Sequence, residues 1–551
     1  MASLNHLDRY RQVAQILAKH GLGYLIGELG LERWRAAVDA APGDAGTHLT
    51  NPAHLRAALE ELGPTFIKLG QLLSTRSDLL PPEYVAELSK LQSGAPPVPS
   101  KIVLQVIRTE LGAAVGDLFA EFDEKPLASA SIGQAHAAVL KDGTRVVVKV
   151  RRPGAVAQIH EDLEILQNLA SQATDRWEIA AEYDLVGLVD QFATTIRAEL
   201  DYLREARNAE RFAENFRGSE IHIPQIFWKT TTSRVLTLER ITGVKVDDLP
   251  GIDRAEIDRS QVVTRAVDAI AQMVFVDGFF HADPHPGNLF IEADGRIGLI
   301  DFGMVGAIGD ELREHLVALL AALSQDDSER ITSALIPLTS TGARIDRPRL
   351  RRDVAHFMTL YQGKQLGDLE IGPLIIELLA VLRRHRLQLD PQLVMLVRML
   401  SMVEGIGVRL DPTFNLGVAI RPYATRFAAE QLSPRAIAAR AVQVSRQLAA
   451  LGLELPVKLR TLADSIGPNG IEIHIDAAEL EPLVGRTERI GNRLVAAIIA
   501  SALIGGIGQL TTKSDSRWRA WGGPLMSAGV GAISTLGAYL ALTARRHRRK
   551  P

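Results

Sequence analysis

The chain has 551 residues, of which 46% are hydrophobic and 23% charged, and this composition excludes disorder as its main state. Lysine and arginine number 62 against 65 aspartates and glutamates, so a formal net charge of −3 argues against a dedicated nucleic-acid binder. The sequence contains no cysteine, which excludes disulfides, thiolate nucleophiles and cysteine-ligated metal centres.

The N-terminal segment, residues 1–50, carries charges from its start and lacks the uninterrupted apolar stretch of a signal peptide. Tyr10, Val13 and Leu17 recur at helical spacing and predict an amphipathic helix. We expect this helix to dock on its own domain. The alternative is a helix that lies on a membrane or on a partner.

The middle of the chain alternates between helical and strand patterns. Residues 51–111 predict helices, with a linker rich in proline and small residues at 93–100. Strand patterns follow at 118–150, where a Lys-Asp-Gly turn at 141–143 indicates a hairpin. Beyond this, the sequence predicts helices at 155–217, short strands at 221–242, and mainly helices to about residue 462 apart from a hairpin-like stretch at 289–300.

Two uncharged stretches near the C-terminus, 494–512 and 520–544, are each long enough to cross a bilayer. Both are rich in glycine, alanine and serine, which allow helices to pack closely in lipid. Eight basic residues flank the outer ends of the pair and three lie between the stretches, so the positive-inside rule places both ends in the cytoplasm. The alternative is a buried helical hairpin of a soluble core.

These patterns predict an α+β fold with two lobes, preceded by a helical extension and followed by a transmembrane helical hairpin. The predicted segments are the N-terminal amphipathic segment at 1–50, the helical extension at 51–115, the smaller lobe at 116–242, the larger helical lobe at 243–430, a helical linker at 431–489, two transmembrane helices at 490–544 and a basic tail at 545–551. The soluble part is expected on the cytoplasmic side of the membrane.

The strongest chemical motif is H-A-D-P-H-P-G-N at 281–288, followed by L-I-D-F-G at 299–303. Phosphoryl transfer needs an acid near the nucleophile and oxygen ligands that hold Mg²⁺ against the nucleotide phosphates. Asp283, Asn288 and Asp301 match the catalytic and metal-binding loops of kinases in residue type and spacing. His281 and His285 are interpreted as structural or capping groups, because the sequence offers no third metal ligand nearby.

A lysine on an upstream strand completes the kinase pattern. Val146, Val148 and Val150 share one face of a predicted strand, so Lys149 points to the other face, like the strand lysine that binds α- and β-phosphates. The usual G-x-G-x-x-G is absent, and A-S-A-S-I-G-Q occupies residues 128–134 instead. Its small residues still let backbone N–H groups approach phosphates.

An acidic helical residue should pair with Lys149, and the segment 197–212 offers Glu199, Asp201 and Glu205. On one continuous helix Asp201 and Glu205 would share a face, while Glu199 would lie about 120° from Glu205. The plainer interpretation is a solvated face whose acids pair with neighbouring arginines.

Taken together, these motifs make the sequence similar to the AarF/UbiB-like atypical kinase family over roughly residues 50–420. The K-x-G-Q signature of that family appears at 68–71, L-x-x-L-Q at 88–92 and E-x-D at 199–201. The sequences V-E-G at 403–405 and L-D-P at 410–412 also resemble the family, and the hairpin resembles its bacterial ubiquinone-linked members.

The resemblance implies a role for each matching residue. It implies that the K-x-G-Q helix covers the active cleft, with Lys68 facing Glu199 and Asp201, and that Glu205 pairs with the nucleotide lysine. On its own, the K-x-G-Q segment reads as a plain amphipathic helix. The predicted catalytic residues are Asp283, Lys68, Glu199 and Asp201; the predicted nucleotide-binding residues are Ala128, Ser129, Ala130, Ser131, Ile132, Gly133, Gln134, Lys149 and Glu205; the predicted metal ligands are Asn288 and Asp301.

The resemblance implies a membrane-anchored atypical kinase or ATPase that binds ATP or ADP with Mg²⁺. Its expected role is in isoprenoid quinone (ubiquinone-type) synthesis or lipid handling at the cytoplasmic membrane. Its expected partners are membrane lipids, quinone precursors and quinone-biosynthesis proteins, and no nucleic acid. The alternatives are a protein kinase and a nucleotide-gated scaffold with little turnover.

The sequence disfavours a conventional protein kinase, because no A-P-E element follows D-F-G and Ala282 replaces the arginine of H-R-D. A flavin- or iron-dependent hydroxylase is disfavoured by the missing G-x-G-x-x-G fingerprint and by the lack of a two-histidine, one-carboxylate set. Neither the phosphoryl acceptor nor the oligomeric state is predicted.

Overall fold

The computed structural model describes residues 2–23, 52–76, 78–91, 96–176, 184–324, 327–340, 345–359 and 371–431. Nearly all of the predicted helical linker, and the whole of the predicted transmembrane hairpin and basic tail, lie outside these ranges. Within them, no helix combines the length and the apolar character that a bilayer span requires.

The N-terminal extension contains, in its described residues, the helices α1 (Ala2–Lys19), α2 (Pro52–Leu62), α3 (Pro64–Leu73) and α4 (Pro82–Leu88). Proline begins each of the last three helices, where its missing N–H breaks no intrahelical hydrogen bond. Tyr10, Val13 and Leu17 of α1 are buried in a cluster with Leu59 of α2. The prediction that the N-terminal helix docks on its own domain is confirmed.

The smaller lobe is built on an antiparallel sheet. Its elements are α5 (Ser100–Leu111), α6 (Val115–Leu118), β1 (Phe119–Ser129), β2 (Gly133–Leu140), β3 (Arg145–Arg151), α7 (Ala155–Arg176), α8 (Leu185–Glu199), α9 (Tyr202–Asn215), β4 (Ile221–His222) and β5 (Val235–Glu239). The strand order of the sheet is β1–β2–β3–β5. The predicted hairpin is confirmed, since Leu140 N–H donates to Thr144 O at 2.8 Å across the turn that joins β2 to β3.

The alternation along β3 orients the strand lysine. Val146, Val148 and Val150 are buried and pack in one cluster with Ile107 of α5. Successive side chains of a strand point to opposite faces, so Lys149 projects from the other face of the sheet. The prediction that the valines share one face of the strand and Lys149 points to the other is confirmed.

The predicted single helix over 197–212 is wrong. Helix α8 ends at Glu199, and α9 begins at Tyr202 with Asp201 as its N-cap. The carboxylate of Asp201 accepts a hydrogen bond from Leu203 N–H at 3.0 Å, which satisfies one of the unpaired donors of the first turn. The break separates Glu199 from Glu205, which lie on different helices.

The larger lobe is mainly helical and carries short strands around the predicted catalytic motifs. Its elements are β6 (Val244–Lys245), α10 (Leu249–Arg254), α11 (Arg259–Ala271), a π-helical turn (Gln272–Asp277), β7 (Phe279–His281), β8 (Leu289–Ile291), β9 (Ile297–Leu299), β10 (Val305–Ala307), α12 (Asp310–Ser324), α13 (Ser328–Leu335), β11 (Thr339–Ser340), α14 (Arg347–Thr359), α15 (Ile371–Arg384), β12 (Gln388–Leu389), α16 (Pro391–Leu410) and α17 (Leu416–Gln431). The predicted hairpin at 289–300 is confirmed as β8–β9.

Strands β7 and β10 were not predicted, and they bring the two motifs together. His281 at the end of β7 pairs with Val305 at the start of β10 in an antiparallel ladder. H-A-D-P-H-P-G-N, hereafter the HADPHPGN loop, therefore begins beside the end of the D-F-G segment. Each strand has only three residues, too few for an alternating pattern to appear in the sequence.

An apolar cavity of about 70 Å³ lies below the HADPHPGN loop. Side chains of α11, of the sheet β4–β9–β8–β6 and of α16 line it, among them Ile270, Leu299 and Met399. His281 and Pro284 border it on the side of the loop.

Candidate active site

His281 connects the HADPHPGN loop to the D-F-G segment. Asp283 N–H donates to His281 Nδ1 at 3.2 Å, so Nδ1 is an acceptor, and Nε2–H donates to the backbone oxygen of Asp301. Burial lowers the pKa of His281, against the opposite effect of Asp301, which favours this neutral tautomer. His285 Nδ1 accepts from Gly287 N–H at 3.1 Å and caps a short turn. Both histidines are structural, as expected.

Asp283 and Asn288 are held in one loop. The Asn288 side-chain amide donates to the backbone oxygen of Asp283 at 3.2 Å, and Asn288 is buried. This bond uses the NH₂ group of Asn288 and leaves its side-chain oxygen as a possible metal ligand. The carboxylate of Asp283 contacts Arg398 of α16, with Oδ1 and Nη2 2.9 Å apart.

Lys149 lies between two carboxylates from different elements. Its Nζ is 2.5 Å from Glu205 Oε1 on α9 and 3.3 Å from Asp301 Oδ2. Burial by itself would lower the pKa of Lys149, but Asp301 and Glu205 outweigh burial and raise it. Lys149 is therefore a charged, fixed cation at this end of the site.

Asp301 is an ionised carboxylate, 44% exposed, at the edge of the cleft. Burial alone would raise its pKa, but Lys149, the Gly303 N–H and His281 outweigh that effect and hold the pKa well below its usual range. The Gly303 N–H donates to Asp301 Oδ1 at 2.9 Å. An exposed anionic oxygen beside a lysine is suited to hold a divalent cation against phosphates.

The K-x-G-Q helix is α3, and its signature residues contact Glu199 and Leu91. Lys68 Nζ lies 2.9 Å from Glu199 Oε2 at the end of α8. Burial opposes its charge, but Glu199, with Asp283 and Asp301 adding smaller effects, raises the pKa of Lys68. A Cβ on Gly70 would lie 2.3 Å from a Leu91 methyl, so a larger residue there would require the leucine side chain to shift. Gln71 donates to Leu91 O at 3.0 Å.

The structure pairs Lys68 with Glu199 and gives Asp201 a different contact. In the described residues, the carboxylate of Asp201 accepts from Leu203 N–H and caps α9. The helix that it caps carries Glu205, the partner of Lys149. Asp201 thus contacts the first turn of α9, the helix that positions Glu205.

The alanine-rich loop, residues 128–134, spans the turn from β1 to β2. Ala128 and Ser129 end β1, Gly133 and Gln134 begin β2, and Ala130 N–H donates to Gly133 O at 2.8 Å. The Gln134 side chain accepts from Val98 N–H at 2.7 Å, which attaches the loop to the segment before α5.

The donor set fits a magnesium nucleotide. Ser131 Oγ is buried and has no hydrogen-bond partner within the described part of the chain, so a donor or acceptor on a bound molecule would satisfy it. Gly133 has no room for a side chain, since a Cβ would lie 2.2 Å from the Tyr202 hydroxyl oxygen. Lys149 could supply a cation for phosphate, and Asn288 with Asp301 could supply oxygen ligands for Mg²⁺.

Sequence reasoning missed Arg398. It lies 115 residues after Asp283, in the sequence V-R-M-L of α16. A single arginine on a helix has no local pattern that indicates its partner, so only the three-dimensional fold could identify the contact.

The kinase-like lobes and this cluster of Lys149, Asp283, Asn288 and Asp301 define an atypical protein-kinase-like protein. Residues 90–335 match the ABC1 atypical kinase-like domain, and residues 354–415 match the UbiB helical domain. "Probable protein kinase UbiB" of Pseudomonas entomophila (strain L48) is 35% identical over 492 residues, which cover 88% of this chain and 89% of that protein. The chain belongs to the UbiB family of ABC1 atypical kinases.

Other relatives share parts of the chain. "Protein ACTIVITY OF BC1 COMPLEX KINASE 7, chloroplastic" of Arabidopsis thaliana is 38% identical over 372 residues, covering 67% of this chain and 53% of that protein. The solved complex of Rv3197 with erythromycin from Mycobacterium tuberculosis is 24% identical, with a TM-score of 0.44, and the match covers 70% of this chain and 95% of that chain.

Proposed function

We propose that this protein is a membrane-anchored atypical kinase or ATPase that binds Mg-ATP at the candidate site and supports isoprenoid quinone synthesis. The observation that carries the proposal is the ion cluster of Lys149, Glu205 and Asp301, placed beside a loop that holds Asp283 and Asn288. The name UbiB of the Pseudomonas relatives supports the quinone pathway. The two uncharged C-terminal stretches support the membrane anchor.

Each residue has a separate task in this mechanism. Lys149, fixed by Glu205, would bind the α- and β-phosphates, and Asp301 with Asn288 would hold Mg²⁺, which would supply positive charge to neutralise the phosphates. Asp283 takes the proton of the acceptor hydroxyl while the acceptor oxygen bonds to the γ-phosphorus. The bond from that phosphorus to the bridging oxygen breaks, and ADP leaves. With water as acceptor the same steps give ATP hydrolysis.

The acceptor that we propose is a lipid or a lipid-borne quinone precursor. The K-x-G-Q helix α3 lies against the site through Lys68, whose Nζ is 2.9 Å from Glu199 Oε2, and we infer that this helix covers the cleft. The chain returns to helix at Asp310, seven residues after Gly303, which leaves little room for a peptide-docking segment. Both observations disfavour a protein substrate.

The Asp301→Asn variant tests the nucleotide site. Removing the anionic oxygen should weaken Mg-ATP binding at least about tenfold, or about 1.4 kcal/mol, while leaving Mg²⁺-independent nucleotide binding less affected. Asp310→Asn, at an 87% exposed position close by in sequence, is the matched control and should bind normally. Unchanged Mg-ATP affinity in Asp301→Asn would contradict the assignment.

The acceptor is tested by ATP hydrolysis with purified full-length protein, with and without liposomes and a phenolic quinone precursor. We expect stimulation by the lipid or the phenol that is lost in Asp301→Asn. Efficient phosphorylation of an added protein, with no response to lipid, would instead favour the protein kinase. Profiling of quinones and their precursors in cells lacking the gene tests the pathway.

A further inference from the structure

The predicted catalytic carboxylate has a cationic partner that its own loop does not supply. The HADPHPGN loop contains no lysine or arginine. Ala282, before Asp283, is buried, and His285, two residues after it, uses Nδ1 to accept from Gly287 N–H. The cation at Asp283 comes from Arg398 of α16, at 2.9 Å.

Helix α16 is attached to the site at its N-terminal end. Asp390 caps the helix through Gln392 N–H at 2.8 Å. The side-chain oxygen of Gln392 then accepts from Ala307 N–H of β10 at 2.9 Å, just beyond the D-F-G segment. Met399, next to Arg398, is buried in the core of the larger lobe. The position of the guanidinium is therefore set by helix packing.

The ion pair is only partly exposed, at 23% for Arg398 and 24% for Asp283. A charge-assisted hydrogen bond to one carboxylate oxygen fixes the orientation of the group. Lys68, the cation of α3 whose pKa is also raised by Asp283, is engaged with Glu199 at 2.9 Å. Arg398 is thus the cation in direct contact with Asp283 in the described part of the chain.

We propose that Arg398 is a positioning residue for the phosphoryl-transfer step. It holds Asp283 through Oδ1 and leaves Oδ2 free to take the proton of the substrate hydroxyl. This inference rests on the proposed function of Asp283. Arg398 lies inside the match to the UbiB helical domain and outside the match to the ABC1 domain, so the helical domain completes the active site of the kinase-like domain.

The test uses the full-length protein and the variants Arg398→Gln, Arg398→Lys, Asp283→Asn and the double variant Asp283→Asn/Arg398→Gln. Arg409→Gln, exposed on the same helix, is the matched control. We expect Arg398→Gln to lower kcat for Mg-ATP hydrolysis at least about tenfold, within the range for a general base, and to leave the Kd for Mg-ATP within about twofold. Arg398→Lys should recover much of kcat.

Non-additivity separates positioning from general destabilisation. In the Asp283→Asn background, Arg398→Gln should lower kcat by less than about a further twofold. The effects of two substitutions are not additive when the residues act as one unit. Full additivity, an effect on Kd alone, or an equal loss in Arg409→Gln would overturn the proposal. Absence of turnover in the wild type would reject the proposed function itself, whereas normal turnover in Arg398→Gln would reject only the role of Arg398.

Discussion

Lys149 and Glu205 form the most buried ion pair of the candidate site, with side chains 17% and 9% exposed. Each charge is stable there because the other compensates it. Burial raises the pKa of Glu205, an effect that Lys149 offsets only in part. Without Lys149, a charged Glu205 would therefore destabilise the folded state.

Replacement of Lys149 by Met should destabilise the fold by about 3 kcal/mol at pH 8, because it leaves a buried carboxylate unpaired. A group whose pKa is raised in the folded state stabilises below its unfolded pKa and loses that effect as pH rises. The loss of stability should therefore be smaller at pH 5 than at pH 8, because a raised pKa lets Glu205 begin to take up a proton at a higher pH than a free glutamate. Thermal denaturation of the wild type and of Lys149→Met at the two pH values measures this loss of stability.

Two variants control that experiment. Lys149→Met/Glu205→Gln should regain most of the lost stability at pH 8, since no unpaired charge remains. Lys90→Met, at a 62% exposed lysine, should have little effect. Equal destabilisation at pH 5 and pH 8 would mean that lost packing, and not the charge of Glu205, explains the cost.

For individual residues, local motifs predicted most of the candidate site but not Arg398. Strand alternation predicted which face Lys149 points to, but it left Glu199, Asp201 and Glu205 open as partners, and the family resemblance implied the observed pairing with Glu205. Arg398 had no such signal. Its contact with Asp283 depends on the packing of α16, which no pattern near either residue encodes.

At the scale of elements, the boundary between α8 and α9 decides what the E-x-D residues contact. Glu199 ends one helix and reaches Lys68, while Asp201 caps the next. The sequence 197–212 contains no glycine or proline, and its helical periodicity runs through the break, so a single helix was the natural prediction. The capping preference of aspartate was the signal that could have indicated the boundary.

Asp201→Ser tests the capping role. A serine hydroxyl can accept the same Leu203 N–H bond, so stability and Mg-ATP hydrolysis should stay close to wild type, whereas Asp201→Ala should cost about 1 kcal/mol. Thermal denaturation and turnover of both variants give the answer. Loss of turnover in the stable Ser variant would show that the carboxylate itself takes part in the chemistry.

At the scale of the molecule, the extension contacts both the smaller lobe and the C-terminal helical part of the larger lobe. Arg76 and Asp78, 4% and 1% exposed, form a buried ion pair. Asp78 also accepts from Leu389 N–H at 3.3 Å, and Arg383 donates to Leu80 O at 3.2 Å. The kinase-like fold could be predicted from local motifs, but these two contacts, which join residues about 300 positions apart, could not.

A chain truncated before Arg486 tests the membrane anchor. It keeps every residue that the structure describes, so it should bind Mg-ATP with wild-type affinity. It should also move from the membrane to the soluble fraction, because both uncharged stretches are removed. Full-length protein that stays in solution without detergent would show that the stretches are a buried pair of a soluble core.

The apolar cavity below the HADPHPGN loop makes the site sensitive to hydrostatic pressure. A void of 70 Å³ per molecule corresponds to about 40 mL per mole, which is within the range of volume changes that drive pressure unfolding. Pressure favours states in which the walls of such an apolar void collapse or open. Because His281 and Pro284 are part of that wall, compression would act on residues on either side of Asp283, in the loop that carries the proposed chemistry.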